Sequence, residues 1–166
     1  MMNHKKPTLF VIEDQPIYSL AIDTRLKNVF NYNVRIFQTG EECLKHLDEQ
    51  PDLIVMDYYL PGMNGLETMR AIKKQQPHLP IIFLSGQQEI NAVLDAIQEG
   101  ADGYIVKGKD AFTRLEDAIL ETLSKVSLKE EMIVFNITLK KYETMIPLLL
   151  IAMLGVFISV ISIIWA

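Results

Sequence analysis

Polar side chains suited to metal binding and nucleophilic attack stand directly after four short apolar runs of the chain. They are Glu13 and Asp14 after TLFVI, Asp57 after LIVM, Ser85 after IIFL, and Lys107 after GYIV. If the runs are parallel strands, their carboxyl ends meet at one edge of a sheet, where ligands bind in such folds. The spacing therefore predicts one site built from three carboxylates, a hydroxyl and an ammonium group.

The chemistry of this set can be argued from the residue types. Three carboxylates held close together repel one another, so they take up protons or bind a hard cation. Oxygen ligation by a few protein groups is what Mg²⁺ prefers. A carboxylate neutralised in this way, beside the ammonium group of Lys107, can attack phosphorus and hold the resulting acyl phosphate. Ser85 can then donate to the new phosphoryl oxygens, and Gly86 leaves room for their approach.

The elements that must position these side chains follow from the hydropathy pattern. Four short, mostly apolar runs are typical of strands buried on both faces: 8–12, 52–56, 80–84 and 103–106. The run at 33–38 alternates, as an edge strand does. Helical patterns lie between the runs, near 16–30, 41–49, 64–76, 88–99 and 110–125. This alternation predicts an α/β fold with a doubly wound, five-stranded parallel sheet.

Four stretches of the chain, in this order, resemble the receiver domain of two-component response regulators. They are VIEDQP, LIVMDYYLPGMNG, IIFLSG and GADGYIVKGKDAF, and the similarity covers about residues 6 to 125. The resemblance implies a flavodoxin-like fold with strand order 2-1-3-4-5. It also implies that a histidine kinase, a phosphotransfer protein or a small phosphodonor loads the site. The last stretch is most similar to receivers that precede a helix-turn-helix output domain.

The resemblance also implies a role for each matching position. It makes Asp57 the phosphoacceptor, and it makes Glu13 and Asp14 ligands of Mg²⁺, together with Asp57 itself and the main-chain carbonyl of Tyr59. The remaining positions contact the phosphoryl group or switch with it: Ser85, Gly86, Tyr104 and Lys107.

Two positions depart from the family pattern. Most receivers follow the lysine with a proline in a cis peptide bond, but Lys107 is followed by Gly108. A cis bond before a residue other than proline costs roughly 2.5–4 kcal/mol, so a cis bond is not asserted here, and the conformation of the Lys107–Gly108 peptide is left open. Tyr59 is bulky, and we expect it to screen the acyl phosphate from water. The same tyrosine disfavours a phosphatase of the haloacid dehalogenase type, which needs a second aspartate at this position.

The C-terminal segment predicts a transmembrane helix. Residues 146–166 hold no charged side chain, and only Ser159 and Ser162 are polar. As a helix this segment is about 31 Å long, which matches the hydrocarbon thickness of a bilayer. Pro147 suits a first helical turn, and Trp165 suits the far interface. We therefore expect a tail anchor.

The residues before the span predict its orientation and leave its contacts open. Lys140 and Lys141 favour a cytoplasmic location for the N-terminal side, and hence for the receiver at a bacterial cytoplasmic membrane. The stretch 127–145 is too apolar for a free linker, and it could dock on the receiver, the membrane or a second copy. Gly155 and Ser159 form a small-xxx-small pair, so a homodimer is one option.

Together these features predict a receiver domain at 1–126, a juxtamembrane linker at 127–145 and a transmembrane helix at 146–166. The soluble part is acidic, and the whole chain has a net charge of -5, so no nucleic-acid binding is expected. The leading interpretation is a membrane-anchored response regulator. It signals by phosphorylation-dependent protein contact, without a DNA-binding output and without turnover of a separate substrate. Two alternatives remain: a membrane scaffold that is not phosphorylated, and a phosphate sink.

Overall fold

A parallel five-stranded sheet forms the centre of the first part of the chain. The computed structural model describes residues 6–86 and 90–164. Its strands are β1 (Thr8–Ile12), β2 (Asn33–Phe37), β3 (Leu53–Met56), β4 (Ile81–Ser85) and β5 (Gly103–Val106). Their order is β2-β1-β3-β4-β5, and every neighbouring pair is parallel. The predicted fold class and strand order are confirmed, and the alternating run at 33–38 does form an edge strand.

Helices follow each strand. They are α1 (Pro16–Phe30), α2 (Gly40–Leu44), α3 (Gly65–Gln75), α4 (Ile90–Gln98) and α5 (Ala111–Ile164), with a 3₁₀ turn at Leu47–Glu49. The expected start of the fourth helix, near residue 88, lies outside the described residues. The expected helix at 41–49 is wrong as a single element. Tighter i→i+3 bonds to Glu42 and Cys43 end it, and Pro51 disfavours a helical conformation at Gln50, which has φ +53°.

Alternate side chains of the strands fill two apolar layers, one on each face of the sheet. One layer joins β1, β3 and β4 to α2, α3 and α4, with Phe10, Met56 and Phe83 at its centre. The other joins the same strands to α1 and the beginning of α5, through residues such as Val55 and Leu115. Burial on both faces explains why the central strands are continuous apolar runs.

The chain divides into two compact units, Met1–Leu123 and Ser124–Ala166. In the second unit the described residues belong to α5, and their side chains are exposed apart from the half-buried Val126. The expectation that Pro147 opens a helix is wrong, because Pro147 lies inside α5. The apolar stretch 127–145 is helical, so no new helix has to start after it. Trp165 lies outside the described residues.

Candidate functional site

Main-chain hydrogen bonds fix the predicted site residues at the carboxyl edge of the sheet. The N–H of Glu13 donates to the carbonyl of Phe37 (3.0 Å), and that of Asp57 donates to the carbonyl of Ile12 (2.9 Å). The N–H of Lys107 donates to the carbonyl of Ser85 (2.8 Å). Each residue therefore stands one step beyond its own strand and is held by the end of a neighbouring strand.

The three acidic side chains meet at this edge. Glu13, Asp14 and Asp57 each offer a carboxylate oxygen, and these oxygens lie within 4.8 Å of one another. Glu13 and Asp57 are buried, whereas Asp14 is exposed. Three hard oxygen donors, with one side open to water, fit Mg²⁺, which retains several of its own waters. The donor set therefore suits the ion that the sequence predicts.

Lys107 bridges two of the carboxylates. Its Nζ lies 2.7 Å from Glu13 Oε2 and 2.6 Å from Asp57 Oδ2, and its side chain is only 6% exposed. Burial of this ammonium group lowers its pKa, but hydrogen bonds to Asp57 and Glu13 outweigh burial, so the pKa of Lys107 is raised. Burial, together with the negative charge of Asp57, raises the pKa of Glu13 even though Lys107 lowers it. Lys107 therefore stays charged beside the carboxylate predicted to react.

The carboxylate of Asp57 is oriented on both of its oxygens. Oδ2 accepts from Lys107, and Oδ1 accepts from the main-chain N–H of Tyr59 at 3.1 Å. Each carboxylate oxygen has about two lone pairs, so both retain the capacity to bind another group. The Tyr59 backbone thus lies beside the carboxylate, and the ligand role of its carbonyl stays a prediction.

A turn that requires glycine follows Asp57. A Cβ at Gly65 would lie 2.4 Å from the main-chain oxygen of Asp57, and Gly62 has φ +77°. Asn64 then caps α3 with a full capping box, in which its side chain accepts from Glu67 N–H at 2.9 Å. The sequence PGMNG therefore connects Asp57 directly to the start of α3.

Ser85 contributes a buried hydroxyl at the end of β4. Its exposed fraction is 0%, and among the described residues its Oγ has no hydrogen-bond partner. A buried hydroxyl in this state is costly, so its partner is expected to be a ligand. Beside it, a Cβ at Gly86 would meet no described atom within 4 Å, which leaves open space at this strand end.

Tyr104 lies within an aromatic cluster. Its ring centroid is 6.0 Å from that of Phe83 and 6.4 Å from that of Tyr58, and it packs against the adjacent core layer. Tyr58 also lies 5.1 Å from Tyr59. The rotamer change predicted for Tyr104 stays a prediction. Sequence reasoning missed Tyr58, whose position next to Asp57 was the only available signal.

Sequence reasoning also missed Tyr18, a residue of the first turn of α1. Its ring centroid lies 4.4 Å from Lys107 Nζ, and the ring stacks on that of Phe112 at 6.1 Å between centroids. No cis peptide bond occurs among the described residues, so the peptide between Lys107 and Gly108, whose conformation the sequence left open, is trans.

Comparison with known proteins identifies the family. Residues 9–120 match the model of the response regulator receiver domain, so the chain belongs to this family. Receivers of two-component signalling generally act as phosphoacceptors, bind Mg²⁺ through acidic residues and interact with histidine kinases or phosphotransfer proteins.

Two curated relatives and two solved structures illustrate the similarity. The chain is 35% identical over 101 residues to the transcriptional activator ExaE of Pseudomonas putida, covering 60% of this chain and 47% of that protein. It is 39% identical over 102 residues to the transcriptional regulator AfsQ1 of Streptomyces coelicolor, covering 61% and 44%. The chain thus spans less than half the length of these relatives.

The solved structures support the fold assignment. The signal receiver domain of a LuxO repressor protein from Vibrio parahaemolyticus has a TM-score of 0.71 at 21% identity, covering 77% of this chain and 98% of that one. NtrX from Brucella abortus has a TM-score of 0.71 at 26% identity, covering 77% and 29%.

Proposed function

We propose that Asp57 accepts a phosphoryl group from a histidine kinase, a phosphotransfer protein or a small phosphodonor. Glu13 and Asp14 would hold Mg²⁺ together with Asp57 and the carbonyl of Tyr59. The observation that carries this proposal is the junction of the three carboxylates, whose oxygens lie within 4.8 Å of one another, with the ammonium group of Lys107, 2.6 Å from Asp57. A merely structural ion pair would not need two further carboxylates at the same point.

The proposed reaction follows from the donors around Asp57. A carboxylate oxygen of Asp57 attacks phosphorus, a P–O bond forms, and the bond from phosphorus to the leaving group breaks with its electron pair. When bound, Mg²⁺ would neutralise charge on the carboxylates and the transferring phosphoryl oxygens. Lys107 can then donate to an oxygen of the phosphoryl group, because its Nζ already donates to Asp57 Oδ2. The hydroxyl of Ser85, which has no hydrogen-bond partner among the described residues, can supply a donor for a phosphoryl oxygen.

The proposed output is protein contact at a membrane. Among the described residues, one helix, α5, is long and apolar enough to cross a bilayer, with a mean hydropathy of 2.7 in its most apolar 18-residue window and none of that window buried. We assign the span to residues 146–166, the linker to 127–145 and the receiver to 1–126. The lysines at 140 and 141 favour a cytoplasmic receiver. Output through protein contact and without DNA binding, and homodimerisation, stay proposals.

The phosphorylation proposal is tested by the intact mass of the full chain after incubation with acetyl phosphate, with and without Mg²⁺. We expect one phosphoryl adduct on the wild type that depends on Mg²⁺ and is absent from Asp57→Asn. An unmodified wild type would favour the scaffold that is not phosphorylated. An adduct without any phosphorylation-dependent membrane partner in a pull-down would favour the phosphate sink.

The membrane proposal is tested by alkaline carbonate extraction of cell membranes. We expect the wild type to stay in the membrane fraction. A double variant, Leu154→Lys with Phe157→Lys, is expected to be extracted, because both positions lie near the middle of the proposed span and each charge there opposes insertion by about 2.5–3.5 kcal/mol. Extraction of the wild type would contradict the proposal.

A further inference from the structure

We propose that Tyr18 is a positioning residue for Lys107, holding its ammonium group against Asp57 by a cation–π contact. This inference rests on the proposed function of Asp57. Lys107 Nζ lies 4.4 Å from the centroid of the Tyr18 ring. An ammonium group within about 6 Å of a ring face is attracted by the negative face of the ring, most strongly where water is excluded. The 6% exposed side chain of Lys107 meets that condition.

Lys107 makes two kinds of contact, hydrogen bonds to carboxylates and a cation–π contact with an aromatic ring. Its ammonium group carries three N–H donors, and two of its neighbours are the carboxylates of Glu13 and Asp57, at 2.7 and 2.6 Å. The Tyr18 ring is a third neighbour, and it attracts the positive charge without competing for either carboxylate. When the phosphoryl group arrives at Asp57, the ring can stay against the ammonium group while its hydrogen bonds rearrange.

Two neighbouring features fix the ring itself. Tyr18 lies in the first turn of α1, three residues after Gln15, the N-cap residue of this helix. The Tyr18 ring stacks on Phe112, with 27° between the planes, and Phe112 packs against one of the core layers. The Tyr18 ring therefore contacts both the start of α5 and Lys107.

The backbone around Lys107 leaves part of the restraint on its side chain to other contacts. The next residue is Gly108, and a Cβ there would meet no described atom within 4 Å. Glycine restricts its own backbone dihedral angles less than any other residue. The main chain here is held by the bond from Lys107 N–H to the Ser85 carbonyl and by the bond from Ala111 N–H to the Gly108 carbonyl, at 3.2 Å. Tyr18 supplies the restraint from the side-chain end.

The kinetic test compares two substitutions at Tyr18 in the full chain, in detergent micelles with Mg²⁺ and acetyl phosphate. Tyr18→Phe keeps the ring, and we expect its rate of adduct formation to stay within about twofold of wild type. Tyr18→Leu removes the ring, and we expect a rate about 3- to 30-fold lower, the range that a cation–π contact supplies. Tyr32→Leu is the matched control, because Tyr32 also stacks on a neighbouring ring, that of Phe30, but lies just before β2 begins.

A double-mutant comparison separates positioning from a general structural role. In a Lys107→Ala background, Tyr18→Leu should cause no further loss of rate, since the group it positions is gone. Three results would overturn the inference: a wild-type rate in Tyr18→Leu, an equal loss in Tyr18→Phe, or the same fold-loss with and without Lys107.

A spectroscopic readout keeps this inference separable from phosphorylation. In the full chain with ¹³C-labelled lysine, the ε-methylene signal that disappears in Lys107→Ala should be shifted upfield by the ring in wild type and in Tyr18→Phe. It should return to the ordinary lysine position in Tyr18→Leu, and an unshifted wild-type signal would refute the contact. If the shift is present but no adduct forms, the proposed function fails while the contact stands.

Discussion

Replacing Ser85 with alanine should stabilise the unphosphorylated protein and weaken the response to phosphorylation. The hydroxyl of Ser85 is completely buried, and among the described residues it has no hydrogen-bond partner. Leaving a buried hydroxyl unpaired costs roughly 1–3 kcal/mol, whereas alanine keeps the Cβ and removes the polar atom. We therefore expect the free energy of unfolding of Ser85→Ala to rise by about 1–2 kcal/mol.

The sign should reverse in the phosphorylated state. There, Ser85 can donate to an anionic oxygen, and a hydrogen bond to a charged group contributes about 1.5–3 kcal/mol. Phosphorylation should thus stabilise wild type more than Ser85→Ala. Each kcal/mol corresponds to roughly 4 °C in Tm for a domain of this size, so thermal unfolding of the full chain resolves the effect.

Ser19→Ala is the matched control for this prediction. Ser19 is also buried, but its Oγ donates to the carbonyl of Pro16 at 3.0 Å. Its replacement should lower the free energy of unfolding by about 1 kcal/mol in both phosphorylation states. If Ser85→Ala lowers the stability of the unphosphorylated protein as Ser19→Ala does, the hydroxyl is already satisfied and the argument for a ligand at Ser85 is refuted.

Three further predictions follow from the packing, burial or exposure of single residues. Gly65→Ala should lower the free energy of unfolding by about 1–3 kcal/mol, because its Cβ would lie 2.4 Å from the Asp57 main-chain oxygen. Gly86→Ala is the control: its Cβ would meet no described atom within 4 Å, so the free energy of unfolding should change little. If denaturant titrations show equal losses for Gly65→Ala and Gly86→Ala, the close approach at Gly65 is refuted. Burial raises the pKa of Cys43 from 9.0 to about 12, so the folded protein keeps the thiol neutral where the unfolded chain ionises. The stability contribution of Cys43 is therefore full below pH 9.0 and is lost as the pH rises towards about 12. The free energy of unfolding of Cys43→Ala, measured by denaturant titration, should fall less steeply across that window than that of wild type. Tyr59→Asn should shorten the lifetime of the phosphorylated protein, because the half-exposed Tyr59 ring is replaced by a smaller polar group; an unchanged or longer lifetime, measured by intact mass, would rule out screening.

The sheet and the convergence of the site could be predicted from sequence because both follow from local patterns. Continuous apolar runs indicate strands buried on both faces, and a polar residue directly after such a run falls at the edge of the sheet. The structure brings Glu13, Asp14 and Asp57 together as this argument requires, with Lys107 among them. Helix lengths were harder to predict, since α2 ends through a short-range competition with tighter turns.

The contacts of Tyr18 and Tyr58 could not be predicted because they join distant parts of the chain. Tyr18 meets Lys107 from a different element, and no periodicity in either segment encodes that meeting. The location of Pro147 was mispredicted for a local reason. Its sequence context fits a helix start, but the preceding residues already form a helix, and the lost hydrogen bond at Pro147 is not enough to end it.

The central claim is that Asp57 is the residue that takes the phosphoryl group. The most direct measurement is peptide mass spectrometry of the full chain after phosphorylation with acetyl phosphate and Mg²⁺, followed by borohydride reduction, which converts an acyl phosphate to an alcohol at the modified residue. The account predicts that Asp57 alone is converted, in the peptide LIVMDYYLPGMNG. Conversion at Glu13 or Asp14 instead, or of no carboxylate at all, would contradict it.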